Sequence, residues 1–117
     1  MATEVRLELE SGAVVCERCL IADKPWSRLR GLLGRSDLPA GQGILLRPCS
    51  SVHMMFMRFA IDVVFCDGDL RVLSVVAGLR PWRFAATRGA KVTVELAAGE
   101  AESRGLAEGA QLRIAEA

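Results

Sequence analysis

Asp67-Gly68-Asp69 separates two short apolar runs, residues 61–66 and 70–77, and this narrows the choice of fold more than any other feature of the chain. Ile, Val and Phe suit a pleated, half-buried surface, and Asp-Gly is a strong tight-turn signal, so the two runs should pair as a hairpin. The same alternation of short β-suited segments and turns recurs along the chain. Val5-Arg6-Leu7-Glu8-Leu9 has a period of two, Ser11-Gly12 marks a turn, and residues 14–22 read as a second strand. Ile44-Leu45-Leu46 is a short buried strand ended by Pro48; residues 52–57 and 91–96 are further β segments, and Leu112-Arg113-Ile114 closes the chain. One early helix is expected. Asp23 is placed to cap it, Pro25 suits its first turn, Trp26, Leu29 and Leu33 share a face, and Gly34 stops it. Residues 99–105 have room for one or two helical turns. The expected fold is mainly β: a compact β-sandwich or partly closed barrel of seven to eight short strands with one early helix.

The 117 residues (12.6 kDa) suffice for a single β-rich domain over positions 1–117. Fifteen basic and fourteen acidic side chains leave a net charge of +1, which argues against nucleic acid or an anionic membrane as partner. No export leader is legible at the N-terminus and no apolar run approaches the ~18–20 residues of a membrane span, so a cytoplasmic location is expected. Four irregularly spaced cysteines do not make a secreted disulfide framework, and reduced thiols are the default.

Ser27-Arg28-Leu29-Arg30-Gly31-Leu32-Leu33-Gly34-Arg35, followed by His53-Met54-Met55-Phe56-Met57-Arg58-Phe59-Ala60-Ile61-Asp62, resembles the family known as domain of unknown function 192. Leu79-Arg80-Pro81-Trp82-Arg83, Val94-Glu95-Leu96-Ala97-Ala98-Gly99 and Gly105-Leu106-Ala107-Glu108-Gly109 resemble its later signatures, in order. The chain departs at Ala60, where the family commonly has Pro, and at Ala110, where an acid is common. The resemblance implies a β-rich fold and no established activity.

Several groups of residues invite chemistry. Cys16-Glu17-Arg18-Cys19 has the C-x-x-C spacing, but residues three apart on a regular strand point to opposite faces, so neither a zinc site nor a redox pair is expected. Cys49, Ser51, His53, Met55 and Met57 have one parity and would share a strand face; a Met-rich core strand is the simpler reading than copper. No metal and no cofactor are therefore expected. His53, the only histidine, lies close in sequence to Arg58 and Asp62, and a His–Asp pair is the minimum for general acid–base chemistry. Arg80-Pro81-Trp82-Arg83 sets two guanidinium groups around an aromatic, inside a stretch with no acid between Asp69 and Glu95. The function itself is not legible. The leading reading is a domain that binds a small anionic or polar ligand through His53, Met57, Arg58 and Asp62, with Arg80, Trp82 and Arg83 at the rim. An enzyme using His53 and Asp62, and a protein-interaction module docking through Trp82 or an exposed strand, are the alternatives.

Overall fold

In the computed structural model, which describes residues 3–24, 32 and 34–116, the described residues form nine strands. They are β1 (Thr3–Leu9), β2 (Val14–Ala22), β3 (Gln42–Leu46), β4 (Ser51–His53), β5 (Ile61–Cys66), β6 (Val72–Leu79), β7 (Phe84–Ala86), β8 (Val92–Ala97) and β9 (Leu112–Glu116). A single short helix among the described residues, α1 (Glu100–Ser103), follows β8. The early helix expected between Asp23 and Gly34 falls largely outside the described residues, as do Trp26, Leu29 and Leu33.

Seven strands form one sheet in the order β6-β5-β8-β3-β2-β1-β9, and β4 pairs with β7 in a second, smaller sheet. All neighbours run antiparallel except β2 and β3, whose parallel pairing requires the long connection between them. The large sheet curls until its ends meet at one corner. There Arg71 bridges Gln111, the Val72 amide donates to the Ala110 carbonyl at 2.8 Å, and the Leu112 amide donates to the Leu70 carbonyl at 3.0 Å. The result is a partly closed barrel. The expected hairpin is β5–β6, and Asp67 makes its turn by accepting the Asp69 and Arg71 amides on Oδ1 at 2.8 and 3.0 Å.

Curling gives the sheet an inner and an outer core. Leu7, Val15, Cys16, Cys19, Leu45, Val64, Val94 and Leu112 fill the inside. Ile44, Leu46, Ile61, Val63 and Phe65 form the outer apolar face, packed with Val52, Met54 and Met57 from the region of the small sheet. The central strands β5 and β8 are consequently covered on both sides, and every residue of β5 is buried.

Where β3 meets β8 the backbones approach so closely that only glycine fits at position 43. A Cβ there would lie 2.7 Å from the Glu95 carbonyl oxygen and 3.2 Å from the Cys16 sulfur. Because backbone cannot rotate away as a flexible side chain can, Gly43→Ala should cost about 1–3 kcal/mol, measured by urea unfolding.

Two expectations about strand regularity are corrected by the structure. The segment from residue 52 to 57 is not one strand: β4 stops at His53, and Phe56 adopts a left-handed backbone with φ 65°. Parity is lost there, so Met57 is buried while His53 and Met55 are exposed, and the five residues from Cys49 to Met57 share no face. Cys16 and Cys19 are the converse case. Cys16 stands opposite Leu7 and Cys19 opposite Val5, so two residues, Glu17 and Arg18, face the single Arg6. That β-bulge turns both cysteines inward.

Candidate functional site

The seven expected site residues do not line one pocket. Asp62 belongs to the interior, with no exposed surface. Its parity on β5 points it into the curl of the sheet, on the same side as Val64 and Cys66. It lies opposite the irregularity in β6 between Val76 and Leu79, where Oδ1 accepts the Gly78 amide at 2.8 Å. Oδ2 accepts the amides of Gly99 and Ala101 at 3.0 and 2.9 Å, which are the cap and the second residue of α1. Gly99 has φ 92° and no side chain with which to cap the helix, so Asp62 does so from across the fold. The carboxylate is taken up by architecture. The pairing of His53 with Asp62 that acid–base chemistry would need is not formed, and Arg58 is not its counter-ion either: its partners are backbone amides.

Met57 is buried in the outer core. The other five residues are exposed. Backbone hydrogen bonds bring four of them, His53, Arg80, Trp82 and Arg83, together on the small sheet and its flanking turns, and Arg58 follows in sequence. His53 pairs with Phe84 across β4 and β7. Just beyond, the Met54 amide donates to the Arg83 carbonyl and the Trp82 amide donates to the Met54 carbonyl, both at 2.8 Å. These bonds lock the Phe56 and Trp82 turns together, each with a left-handed backbone (φ 65° and 68°). Bulky residues pay for that conformation, and such strain concentrates where a side chain must be presented. What is presented is a tilted aromatic pair, with ring centroids 5.0 Å apart at 59°.

The apolar content of this surface is unusual for the molecule. Of the five exposed large hydrophobics among the described residues, four are here: Met55, Phe56, Trp82 and Phe84; the two paired rings are 69% and 62% exposed. The sequence does not single out Phe56 and Phe84, because nothing in an apolar β-suited segment marks which residues turn outward.

The arginines fall into two groups. Arg6, Arg18, Arg35, Arg71, Arg104 and Arg113 each donate side-chain hydrogen bonds within the fold. Arg47, Arg58, Arg80, Arg83 and Arg88, all exposed, make none among the described residues and join no ion pair there; all but Arg47 are on or beside the aromatic surface in sequence. A recess of about 190 Å³ lies elsewhere, lined by Glu4, Arg18, Leu20, Arg35, Gln42 and Gly43, and none of the seven residues borders it. Among the described residues no group of three or more His, Cys, Asp or Glu side chains could hold a metal ion.

One buried acid stands apart from this surface. Glu95 on β8 is flanked by Ile44 and Val63 on the neighbouring strands and shares its side of the sheet with Thr93. Among the described residues it forms no side-chain hydrogen bond or ion pair. Burial alone pushes its carboxyl up to about 7.

Comparison with known proteins agrees with the fold and adds no activity. A "UPF0127 protein" of Thermococcus sibiricus is 36% identical over 93 residues, covering 75% of this chain, which spans 60% of that relative's length. A second, of Pyrococcus furiosus, is 47% identical over 47 residues, 39% of this chain and 40% of the relative. Among solved structures, a Sinorhizobium meliloti protein described as a "putative transcription regulator" superposes with a TM-score of 0.84 at 21% identity, over 97% of this chain and 94% of that one. A protein of unknown function from Novosphingobium aromaticivorans gives 0.81 at 22% identity, over 96% and 84%. At such identities the likeness is one of fold. No helix among the described residues is long and apolar enough to cross a membrane. Residues 7–114 match the family described as "Uncharacterized ACR, COG1430", and the chain is thus a member of the domain of unknown function 192 family.

Proposed function

We propose that the protein is an interaction module whose small sheet docks an acidic, apolar-bearing segment of a partner protein. The observation that carries this reading is the coincidence of two exceptions on one surface. Four of the five exposed large hydrophobics among the described residues lie on the small sheet or its flanking turns, and four of the five arginines unpaired among the described residues lie on or beside the same stretches of sequence. Contiguous exposed apolar surface is costly for a soluble chain and marks contact sites, and Trp and Arg are the side chains most enriched in binding hot spots. Charge selects the partner's chemistry: no acid lies between Asp69 and Glu95, so the surface complements carboxylates. The small-ligand reading loses Asp62 and Met57 to the interior, and none of its residues borders the recess at Glu4 and Arg18.

Binding is testable by NMR with a short peptide of Glu and Asp carrying one Leu and one Phe. Shifts confined to His53, Phe56, Trp82 and Phe84, weakening as salt rises, are expected. Trp82→Ala should weaken affinity at least tenfold, about 1.4 kcal/mol or more, and Arg80→Glu with Arg83→Glu should abolish it. Shifts produced by a sugar acid or inorganic phosphate but not by the peptide would restore the small-ligand reading and overturn this one.

A further inference from the structure

The β2 bulge creates a second feature of chemical interest, independent of the aromatic surface. Cys16 and Cys19 stand opposite Leu7 and Val5, two positions on one face of β1. Residues two apart on a strand are separated by roughly 6–7 Å, so the cysteine backbones stand at about the outer limit that a disulfide spans. Both side chains are fully buried in the inner core, and the Cys19 thiol donates to the Leu20 carbonyl at 3.9 Å. The neighbouring Cys19 thiol holds Cys16 below the ordinary thiol range, while Cys16 and burial hold Cys19 above it. The pair therefore has the asymmetry of a nucleophile beside its protonated partner. Cys66, alone in the core, is by contrast pushed up to about 12 by burial.

The cover over Cys16 is polar and local. The Cys16 thiol donates to the Gly41 carbonyl oxygen at 3.5 Å. Alongside, Arg104 reaches the Val14 carbonyl at 3.0 Å and pairs with Glu17 and Glu100 at 2.8 and 2.7 Å. Partly exposed ion pairs of this kind hold weakly, so the cover can open without global unfolding. With no third ligand among the described residues, a metal would have only two donors. A bond between the two sulfurs needs none.

We propose that Cys16 and Cys19 are a thiol–disulfide exchange site that closes into a reversible intramolecular disulfide across the β2 bulge. The oxidant is a low-molecular-weight disulfide. The Cys16 thiolate attacks one of its sulfurs, forming a mixed disulfide and expelling one small thiolate. That thiolate takes the Cys19 proton, and the Cys19 sulfur then attacks the Cys16 sulfur and expels the second small thiolate, which is protonated by water. Two protein thiols lose two electrons and two protons; the small disulfide becomes two thiols.

The test uses the folded Cys49→Ser chain, which removes the partly exposed thiol, in the presence of a chelator and well below its melting temperature. After incubation with oxidised glutathione and an acid quench, mass spectrometry should show the loss of two hydrogens and no retained glutathione. Peptide mapping should place the link between Cys16 and Cys19, and dithiothreitol should reverse it. Adding Cys19→Ser should leave one glutathionyl group trapped on Cys16. Thiols at Cys16 and Cys19 that stay free in the folded Cys49→Ser chain, or glutathione retained on Cys16 while Cys19 is present, would overturn the proposal whether or not the Cys19→Ser variant folds.

Discussion

Asp62→Ala is expected to destabilise the protein by roughly 3–5 kcal/mol in urea unfolding, because three amides lose their acceptor and each buried unmet donor costs ~1–3 kcal/mol. The amides belong to Gly78, Gly99 and Ala101, and they tie the β6 irregularity and the start of α1 to β5. Gly78 and Gly99 are exposed enough for water to replace part of the loss; the bond from Ala101 is buried. Asp62→Asn should recover little of it. Donors reach both carboxylate oxygens, and an amide side chain offers one oxygen and turns an NH₂ group toward a backbone N–H. Arg58→Ala, by contrast, should change stability by less than about 0.5 kcal/mol, since Arg58 is exposed and has no partner among the described residues. An Asp62→Ala protein within about 1 kcal/mol of the parent would show that the carboxylate is not structural.

Glu95→Gln should make the protein more stable above neutral pH, by up to about 3 kcal/mol. The carboxyl is raised by burial from an ordinary 4.5 to about 7, so the folded state holds a proton that the unfolded state releases throughout that interval. Rising pH therefore costs stability from about 4.5 to about 7, and the cost stays constant above it. Below that window the parent and the Glu95→Gln protein should be nearly alike, because protonated Glu and Gln are both neutral. The informative quantity is the difference between the two proteins at each pH, since Glu8 and Glu17 act in the opposite sense. Each is held below the usual carboxylate range by arginine, Glu8 chiefly by Arg113 and Glu17 by Arg104, so their contribution is lost as pH falls. A difference between the parent and the Glu95→Gln protein that does not change with pH would mean that the carboxyl is solvated.

The two acids mark where the pattern of residues stops being informative. Lys91-Val92-Thr93-Val94-Glu95-Leu96 alternates as a half-buried strand should, which implies that Thr93 and Glu95 face water. They do not, because β8 is central in the sheet and the outer core covers its second face. Asp62 interrupts an otherwise apolar run next to a histidine and an arginine, and read along the chain it belongs with them. Its actual partners lie 16, 37 and 39 residues away, and they are backbone amides, which have no residue-type signature. The surface around Trp82 is half legible. Arg80, Trp82 and Arg83 draw attention as a cluster, whereas Phe56 and Phe84 join them only because two left-handed turns and a three-residue strand pairing bring residues 53–56 against 82–84.

By itself the sequence determined the β class, the hairpin at Asp67, most strand positions and the family, because these follow from nearest neighbours, turn chemistry and a period of two. Only the tertiary structure decided which side of each strand is inside once both faces are covered. It also decided that one extra residue in β2 turns Cys16 and Cys19 to the same side, and that β4 ends before its parity can carry Met55 and Met57 with His53. The physical reason is common to all three. Alternation along a strand reports its orientation only while the ladder is regular and one face is wet. A bulge, a left-handed turn or a second layer of packing resets it, and these depend on strands distant in the chain.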